Sequence, residues 1–344
     1  MTRSANDPLL ATVSGALDWQ QLRVFLSEAI VSVPSGTGNR WEQTATFVNA
    51  RCPASRPQPP MAFEHTFRRL TELDVPGASR LTTDPTAGRD LWTQLFYRVA
   101  RSVFDAGQTF LNLGYEGPAR ARPFSLREED EPARPYIQIY DQVIGDTTLA
   151  DRAILEIGCG WGGGCAYVAN YFEPRRVVGL DLVESNVATC RAHAAGGQTF
   201  VIGNATALPL VSATFDVVIN VESSHNYKSF VDFAREVHRV LVAGGTFLLS
   251  DLRPTTEAWR TVRETLAGTG FALISEDDLT PGVQQAMAAQ AAAKRALLED
   301  ARFDGMDRPS LAEIMLCPGS TSYERFRTSG AQFRVLRLEK RSAY

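Results

Sequence analysis

The chain has 344 residues, 44% hydrophobic and 22% charged, with 35 basic against 39 acidic side chains and a net charge of −4. Such a chain can build a sizeable core, and with no Lys/Arg-rich block it argues against nucleic acid as the main partner. No apolar run approaches the roughly 20 residues of a membrane span. Met1–Asp7 lacks the layout of a signal peptide, and the five scattered cysteines contain no C-x-x-C pair, so neither a disulfide framework nor a zinc site is indicated and the cytoplasm is the expected location.

The front of the chain reads as helical. Trp19, Leu22, Phe25, Leu26 and Ile30 recur at helical spacing and stop at Pro34-Ser35-Gly36. A short helix is expected over Trp41–Ala50, followed by a proline-rich linker over Cys52–Pro60. Phe63, Phe67, Leu70 and Leu73 mark a third helix, and Leu91, Leu95, Val99, Val103 and Phe104 a fourth. Residues 1–130 are therefore expected to form an all-helical cap, lid or oligomerisation region, with a homodimer as one assembly open to it; His65 reads as structural. Phe110-Leu-Asn-Leu-Gly-Tyr-Glu116 breaks the periodicity, with Asn112 and Gly114 suited to a turn. Pro135–Val143 is expected as the helix leading into a second domain, residues 131–344.

That domain is organised around Ala153-Ile-Leu-Glu-Ile-Gly-Cys-Gly-Trp-Gly-Gly-Gly164: a buried strand, a glycine loop and a helix expected from Cys165 to Phe172. Gly158, Gly160 and Gly163 satisfy the dinucleotide pattern G-x-G-x-x-G, whereas Glu156, Gly158, Gly160 and Gly162 satisfy E-x-G-x-G-x-G. From the loop alone a dinucleotide, another nucleotide-type ligand or a purely structural turn all stand. Strand two, Arg176–Leu180, ends at Asp181, where a carboxylate could take ribose hydroxyls or cap the helix Ser185–Ala195. Strand three, Thr199–Ile202, leads to Gly203-Asn-Ala-Thr-Ala-Leu-Pro209. Strand four, Thr214–Ile219, leads to Asn220-Val-Glu-Ser-Ser-His-Asn-Tyr227. A helix over Phe230–Leu241 is expected to be capped by Gly244-Gly245, and strand five, Thr246–Ser250, to end at Asp251. Beyond it come a helix Thr255–Leu266, strand six Gly270–Ser275, one long helix Pro281–Asp300, a helix Ser320–Thr328 and a final strand Gln332–Leu338.

Taken in order, the E-x-G-x-G-x-G loop, Asp181, the Gly203–Pro209 run, Phe215-Asp-Val-Val218 and Gly244-Gly245 before strand five resemble the motifs of the class I S-adenosylmethionine (SAM)-dependent methyltransferases. The run from Phe110 to Tyr115, Asn220–His225 and Ser250-Asp-Leu-Arg-Pro254 resembles, more narrowly, the phthiotriol/phenolphthiotriol dimycocerosate methyltransferase group and related enzymes of secondary metabolism. The resemblance covers roughly residues 105–340. It implies an α/β fold with a Rossmann-like seven-stranded sheet of order 3-2-1-4-5-7-6, a helical insertion at 276–330, SAM as cofactor and a small-molecule acceptor. The cofactor-binding candidates are Tyr115, Glu156, Gly158, Gly160, Gly162, Asp181, Leu182, Asn204, Ala205, Asn220 and Val221. Asn204 departs from the family's acidic residue, and an amide oxygen can still accept a hydrogen bond from an amine.

In such a sheet, ligands bind beyond the carboxyl ends of the strands, where strand order reverses. His225 follows strand four and Asp251 follows strand five. A hydroxyl acceptor needs its proton removed, and a His oriented by a carboxylate suits that task. His225 is the expected general base and Asp251 its orienter, with Glu222 a lesser candidate for a hydrogen bond to substrate or cofactor. The expected activity is methyl transfer to a hydroxyl of a small secondary metabolite or polyketide-like lipid; the alternative is a C- or N-methyltransferase on the same core. No metal-ligand cluster stands out. His193 and His238 read as structural, and Met306, Met315 and Tyr323 as candidate pocket lining or core.

Overall fold

The computed structural model describes residues 108–117, 125–194, 196–300, 312 and 315–341. The helices expected within residues 18–104, His65 and Met306 lie outside them. Of the described residues, those in 108–290 and 326–341 form one compact unit, and those in 291–325, including Met315 and Tyr323, belong to a second.

A 3₁₀ turn over Glu128–Ala133 leads into α1 (Arg134–Ile144), with Pro135 in the first turn, where a missing N–H costs nothing. Its last carbonyls, on Gln142 and Val143, accept from the buried Arg337 guanidinium. β1 (Ala153–Ile157), β2 (Arg176–Asp181) and β4 (Phe215–Val221) are near-continuous apolar runs, as parallel strands covered on both faces must be. α2 (Gly163–Tyr171) joins β1 to β2, α3 (Glu184–His193) joins β2 to β3 (Gln198–Ile202), and α4 (Phe230–Val240) joins β4 to β5 (Leu241–Arg253). There follow α5 (Thr256–Gly268), β6 (Phe271–Asp278), α6 (Thr280–Ala289), α7 (Ala291–Leu298), α8 (Thr321–Thr328) and β7 (Gln332–Lys340).

Among the described residues the sheet has seven strands in the order β3-β2-β1-β4-β5-β7-β6. β7 is antiparallel to both β5 and β6, and the other pairs are parallel. The order anticipated from the resemblance is the order observed. Its reversal lies between β1 and β4, which opens the ligand crevice at their carboxyl ends. Phe233 on α4, Phe247 on β5, Trp259 on α5 and Phe271 on β6 are fully buried in one core cluster, Phe233 meeting Phe247 edge-on at 5.9 Å. A buried ring of this kind contributes about 1.5–3 kcal/mol, and the four fasten α4 and α5 to the sheet.

Several boundaries differ from expectation. α4 ends at Val240 with Leu241 as its cap, and Gly244-Gly245 lie inside β5, where the register with β4 shifts between Phe215 and Val217. The glycine pair therefore serves a strand irregularity rather than a helix cap. β5 continues through Arg253, so Asp251 lies on the strand. β6 runs through Asp278, so the first residues of the expected insertion are strand. The expected long helix is interrupted at Gln290, whose side chain bonds to Leu113 O and Tyr136 Oη. Among the described residues no helix is long and apolar enough to cross a membrane.

Candidate active site

β1 ends at Ile157 and the chain turns through Gly158 at a φ of +73°. That region is open to glycine without strain. A Cβ there would also stand 2.3 Å from Ser223 Oγ and 2.7 Å from Tyr227 Oη, so the loop after β4 packs directly onto the loop after β1. The N–H groups of Gly158 and Cys159 donate to Leu180 O at 2.7 and 3.1 Å, pinning the loop to β2. Gly164, in the first turn of α2, leaves room for Glu156: a Cβ would stand 2.4 Å from its Oε1.

Asp181, at the end of β2, completes the loop. Its Oδ2 accepts from Gly160 N at 2.9 Å, and its Oδ1 from Val183 N at 2.8 Å and Asn186 Nδ2 at 3.2 Å. Val183, with no side-chain bond, is the α3 cap, so Asp181 ties the loop instead of capping the helix. Burial pushes its carboxyl up to about 6, against the pull of the Val183 and Gly160 N–H groups. Asn204 follows β3, its Oδ1 accepting from Thr206 N at 2.9 Å and Thr206 Oγ1 at 2.8 Å.

These strand ends surround one cavity. Gly158, Gly160, Asp181, Leu182, Asn204 and Ala205 form one side of its wall, Val221 and Glu222 another. Other candidates stand behind the wall. Glu156 accepts from Tyr140 Oη at 2.7 Å and from Cys165 Sγ at 3.0 Å, and burial pushes it up to about 7 although both donors pull it down. A Cβ on Gly162 would meet Cys190 Sγ on α3 at 3.0 Å. Asn220 is fully buried, with Nδ2 donating to Ile157 O, Ser223 Oγ and Tyr227 Oη at 2.7–2.9 Å and Oδ1 lacking a partner. Tyr115 packs its ring on Gly282 of α6, and its N–H donates to Pro135 O at 2.8 Å.

The segment before α1 contributes to the wall through Phe110, Leu111 and Asn112 rather than through Tyr115. Asn112 makes the expected turn, its Oδ1 accepting from Gly114 N at 3.0 Å. Leu113 N donates to both carboxylate oxygens of Glu222, at 3.0 and 3.1 Å, across 109 residues of sequence. Glu222 has a φ of +47°, a conformation that disfavours any side chain but glycine by about 1–2 kcal/mol. Glu222 thus ties this backbone segment to the loop after β4.

His225 lies in a 3₁₀ turn over Ser224–Asn226, and its Nδ1 is 2.7 Å from Asp251 Oδ1. Its backbone N–H donates to Asp251 Oδ2 at 2.8 Å. Asp251 is fully buried while the His225 side chain is 32% exposed. Burial alone would raise the Asp251 carboxyl, but Arg253 and His225 beside it hold it well below the usual carboxylate range. An ionised carboxylate only accepts, so Nδ1 carries the ring proton and Nε2 is left as the basic nitrogen. His225 is not part of the cavity wall; Ser223, Asn226, Tyr227 and Lys228, on either side of it, are. Sequence reasoning passed over Ser223, Tyr227 and Tyr140. The first two stood within the quoted Asn220–Tyr227 run, whereas Tyr140 carried no local signal because its partner Glu156 lies on another element.

The wall fits the nucleoside of the implied cofactor at its acid and its apolar side chains, a carboxylate at the end of β2 to accept from ribose hydroxyls and Leu182 and Ala205 beside it, whereas both lone pairs of Asn204 Oδ1 are already taken by Thr206. His193, exposed and bonded to Thr189 O, and His238, edge-on to Phe271, lie on the helices α3 and α4. Among the described residues no cluster could hold a metal ion.

A family model described as a methyltransferase domain matches residues 155–249. The fatty-acid O-methyltransferase of Mycolicibacterium smegmatis is 44% identical over 164 residues, 47% of this chain and 59% of that protein. The chain thus spans less than two thirds of this relative's length. The phthiotriol/phenolphthiotriol dimycocerosates methyltransferase 1 of Mycobacterium ulcerans is 33% identical over 240 residues, 70% of this chain and 84% of that one. The structure of the cyclopropane synthase MmaA2 from Mycobacterium tuberculosis superposes with a TM-score of 0.57 at 18% identity, covering 72% of this chain and 96% of that one, a likeness of fold.

Proposed function

The chain belongs to the family of SAM-dependent methyltransferases that includes the phthiotriol/phenolphthiotriol dimycocerosates methyltransferases, and from that membership we propose that it methylates a hydroxyl of a small secondary metabolite or polyketide-like lipid in the cytoplasm, with His225 as general base. The observation that carries this reading is the His225–Asp251 pair, 2.7 Å apart at the carboxyl ends of β4 and β5. When bound, SAM supplies a methyl group on a positively charged sulfur, so the acceptor alone needs activation. Asp181 would take ribose hydroxyls, with Leu182, Asn204 and Ala205 lining the wall beside it, while Phe110 and Leu111, held down through Glu222, exclude water. His225 Nε2 takes the acceptor's hydroxyl proton as its oxygen attacks, and buried Asp251 stabilises the imidazolium that forms.

A second reading is a carboxylate acceptor. It is favoured by the name of the M. smegmatis relative and by Lys228, the one cationic residue in the cavity wall among the described residues. A carboxylate is already anionic at neutral pH and needs no base. The test is transfer of a labelled methyl group from SAM to a long-chain secondary alcohol and to a long-chain fatty acid, by the wild type and by His225→Ala. Transfer to the alcohol that falls about 10²- to 10⁴-fold in the variant supports the hydroxyl reading. Transfer to the acid that survives the substitution replaces it.

A further inference from the structure

Arg253, in the Ser250–Pro254 stretch, has no part in the chemistry above. It is 6% exposed at the end of β5, and a charge so far from water persists only where partners compensate. Its Nη1 is 2.6 Å from Asp251 Oδ2 and donates to Leu252 O at 3.0 Å, while its Nη2 donates to Ser224 Oγ at 2.7 Å. The guanidinium carbon lies 5.6 and 5.5 Å from the ring centres of Phe230 and Trp259, so packing fixes the group as well as charge does. Ser224 Oγ in turn donates to Asp251 Oδ2 at 2.5 Å. Arg253, Ser224 and the His225 backbone therefore converge on Oδ2. Oδ1 receives only the Leu252 N–H, at 2.7 Å, and the His225 ring.

We propose that Arg253 is a positioning residue for His225: with Ser224 it keeps the Asp251 carboxylate charged and turned so that Oδ1 takes the Nδ1 proton, leaving Nε2 as the basic nitrogen. The proposal rests on the reading of His225 as base. A neutral imidazole carries its proton on one nitrogen, and the hydrogen bond at the other decides which. Without Arg253, burial favours the protonated carboxyl of Asp251. A protonated carboxyl donates to Nδ1, the ring proton moves to Nε2, and the base is lost although His225 and Asp251 are both still in place. The groups facing this carboxylate are His225 and Ser224 from the turn after β4 and Arg253 from β5; Tyr227, also in that turn, feels its charge. A residue that merely plugged the core beside Trp259 would leave the tautomer alone.

The test is the ¹⁵N spectrum of the histidine rings in the full chain, with His225 identified by the signals missing from His225→Ala. Wild type, Arg253→Met, Arg253→Lys and Ser224→Ala are compared, together with kcat and KM for a long-chain secondary alcohol. The wild-type neutral ring is expected to carry its proton on Nδ1. Arg253→Met is expected to shift the population toward Nε2–H and lower kcat about 10- to 100-fold with KM and S-adenosylhomocysteine affinity retained, and Arg253→Lys to restore part of both. An unchanged tautomer in Arg253→Met overturns the proposal whatever kcat does. A changed tautomer with unchanged kcat supports the orienting role and overturns His225 as base, so the two failures are distinguishable. Should the Met variant not fold, Ser224→Ala decides: a smaller shift in the same direction supports the proposal, and none overturns it.

Discussion

Glu156 on β1 and Asp251 on β5 are carboxylates buried in one sheet, and their surroundings drive them in opposite directions. Glu156 meets a phenol and a thiol, neither of them charged, and burial pushes it up to about 7. Asp251, buried more completely, meets a guanidinium and an imidazole and stays far on the ionised side. Burial sets the cost of a charge in both places; a buried counter-charge decides whether the charge is kept. The glycine-loop region therefore carries a group that exchanges its proton near neutral pH, whereas the β4–β5 region carries a fixed anion suited to orienting a base.

The sharpest way to break this contrast is Asp251→Ala. It leaves the Arg253 guanidinium buried without its partner, and urea unfolding at pH 7 is expected to register a loss of about 3–5 kcal/mol. Glu156→Gln should go the other way. Because the Glu156 carboxyl is raised, the folded chain holds a proton that the unfolded chain has lost between its usual 4.5 and about 7. Wild-type stability then falls as pH rises through that window, by about 3 kcal/mol from this group, and the loss is complete above it. The Gln variant is expected to lack that fall and to be the more stable protein at pH 8; a pH-stability profile parallel to wild type would refute the account of Glu156.

Smaller effects sharpen the same division. Asp181→Asn removes the acceptor charge facing the cavity, and calorimetric titration with S-adenosylhomocysteine is expected to show binding about 10- to 100-fold weaker, the range of one charged hydrogen bond. Unaltered affinity would take Asp181 out of the site. Glu222→Gln retains an amide oxygen for Leu113 N but loses the charge. An effect of about 1 kcal/mol is expected, read as faster hydrogen exchange at Leu113 than at core amides of β4.

The strands were legible because a parallel strand covered on both faces must be an unbroken apolar run, and the glycines because few other residues fit a turn at positive φ. Boundaries were less so. Gly244-Gly245 has the same local chemistry as a helix cap, and only the pairing of β4 with β5 makes it a strand irregularity. Gln290 interrupts a sequence with good helical propensity because its side chain is bonded to Leu113 and Tyr136, far away in the chain. Tyr115, singled out from its motif, packs on α6, while its neighbours Phe110 and Leu111 reach the cavity.

By itself, then, the sequence determined most of the strands and helices and the position of the glycine loop, because each depends on residues within one short window; the α/β class and the sheet order followed from the resemblance of motifs spread over roughly residues 105–340. The tertiary structure alone decided what each polar side chain does. Glu222 binds a backbone 109 residues away, Glu156 is left without a counter-charge, and Arg253 and Ser224 converge on Asp251. Those outcomes turn on burial and on which charges share a low-dielectric space, and neither quantity exists until the chain has folded.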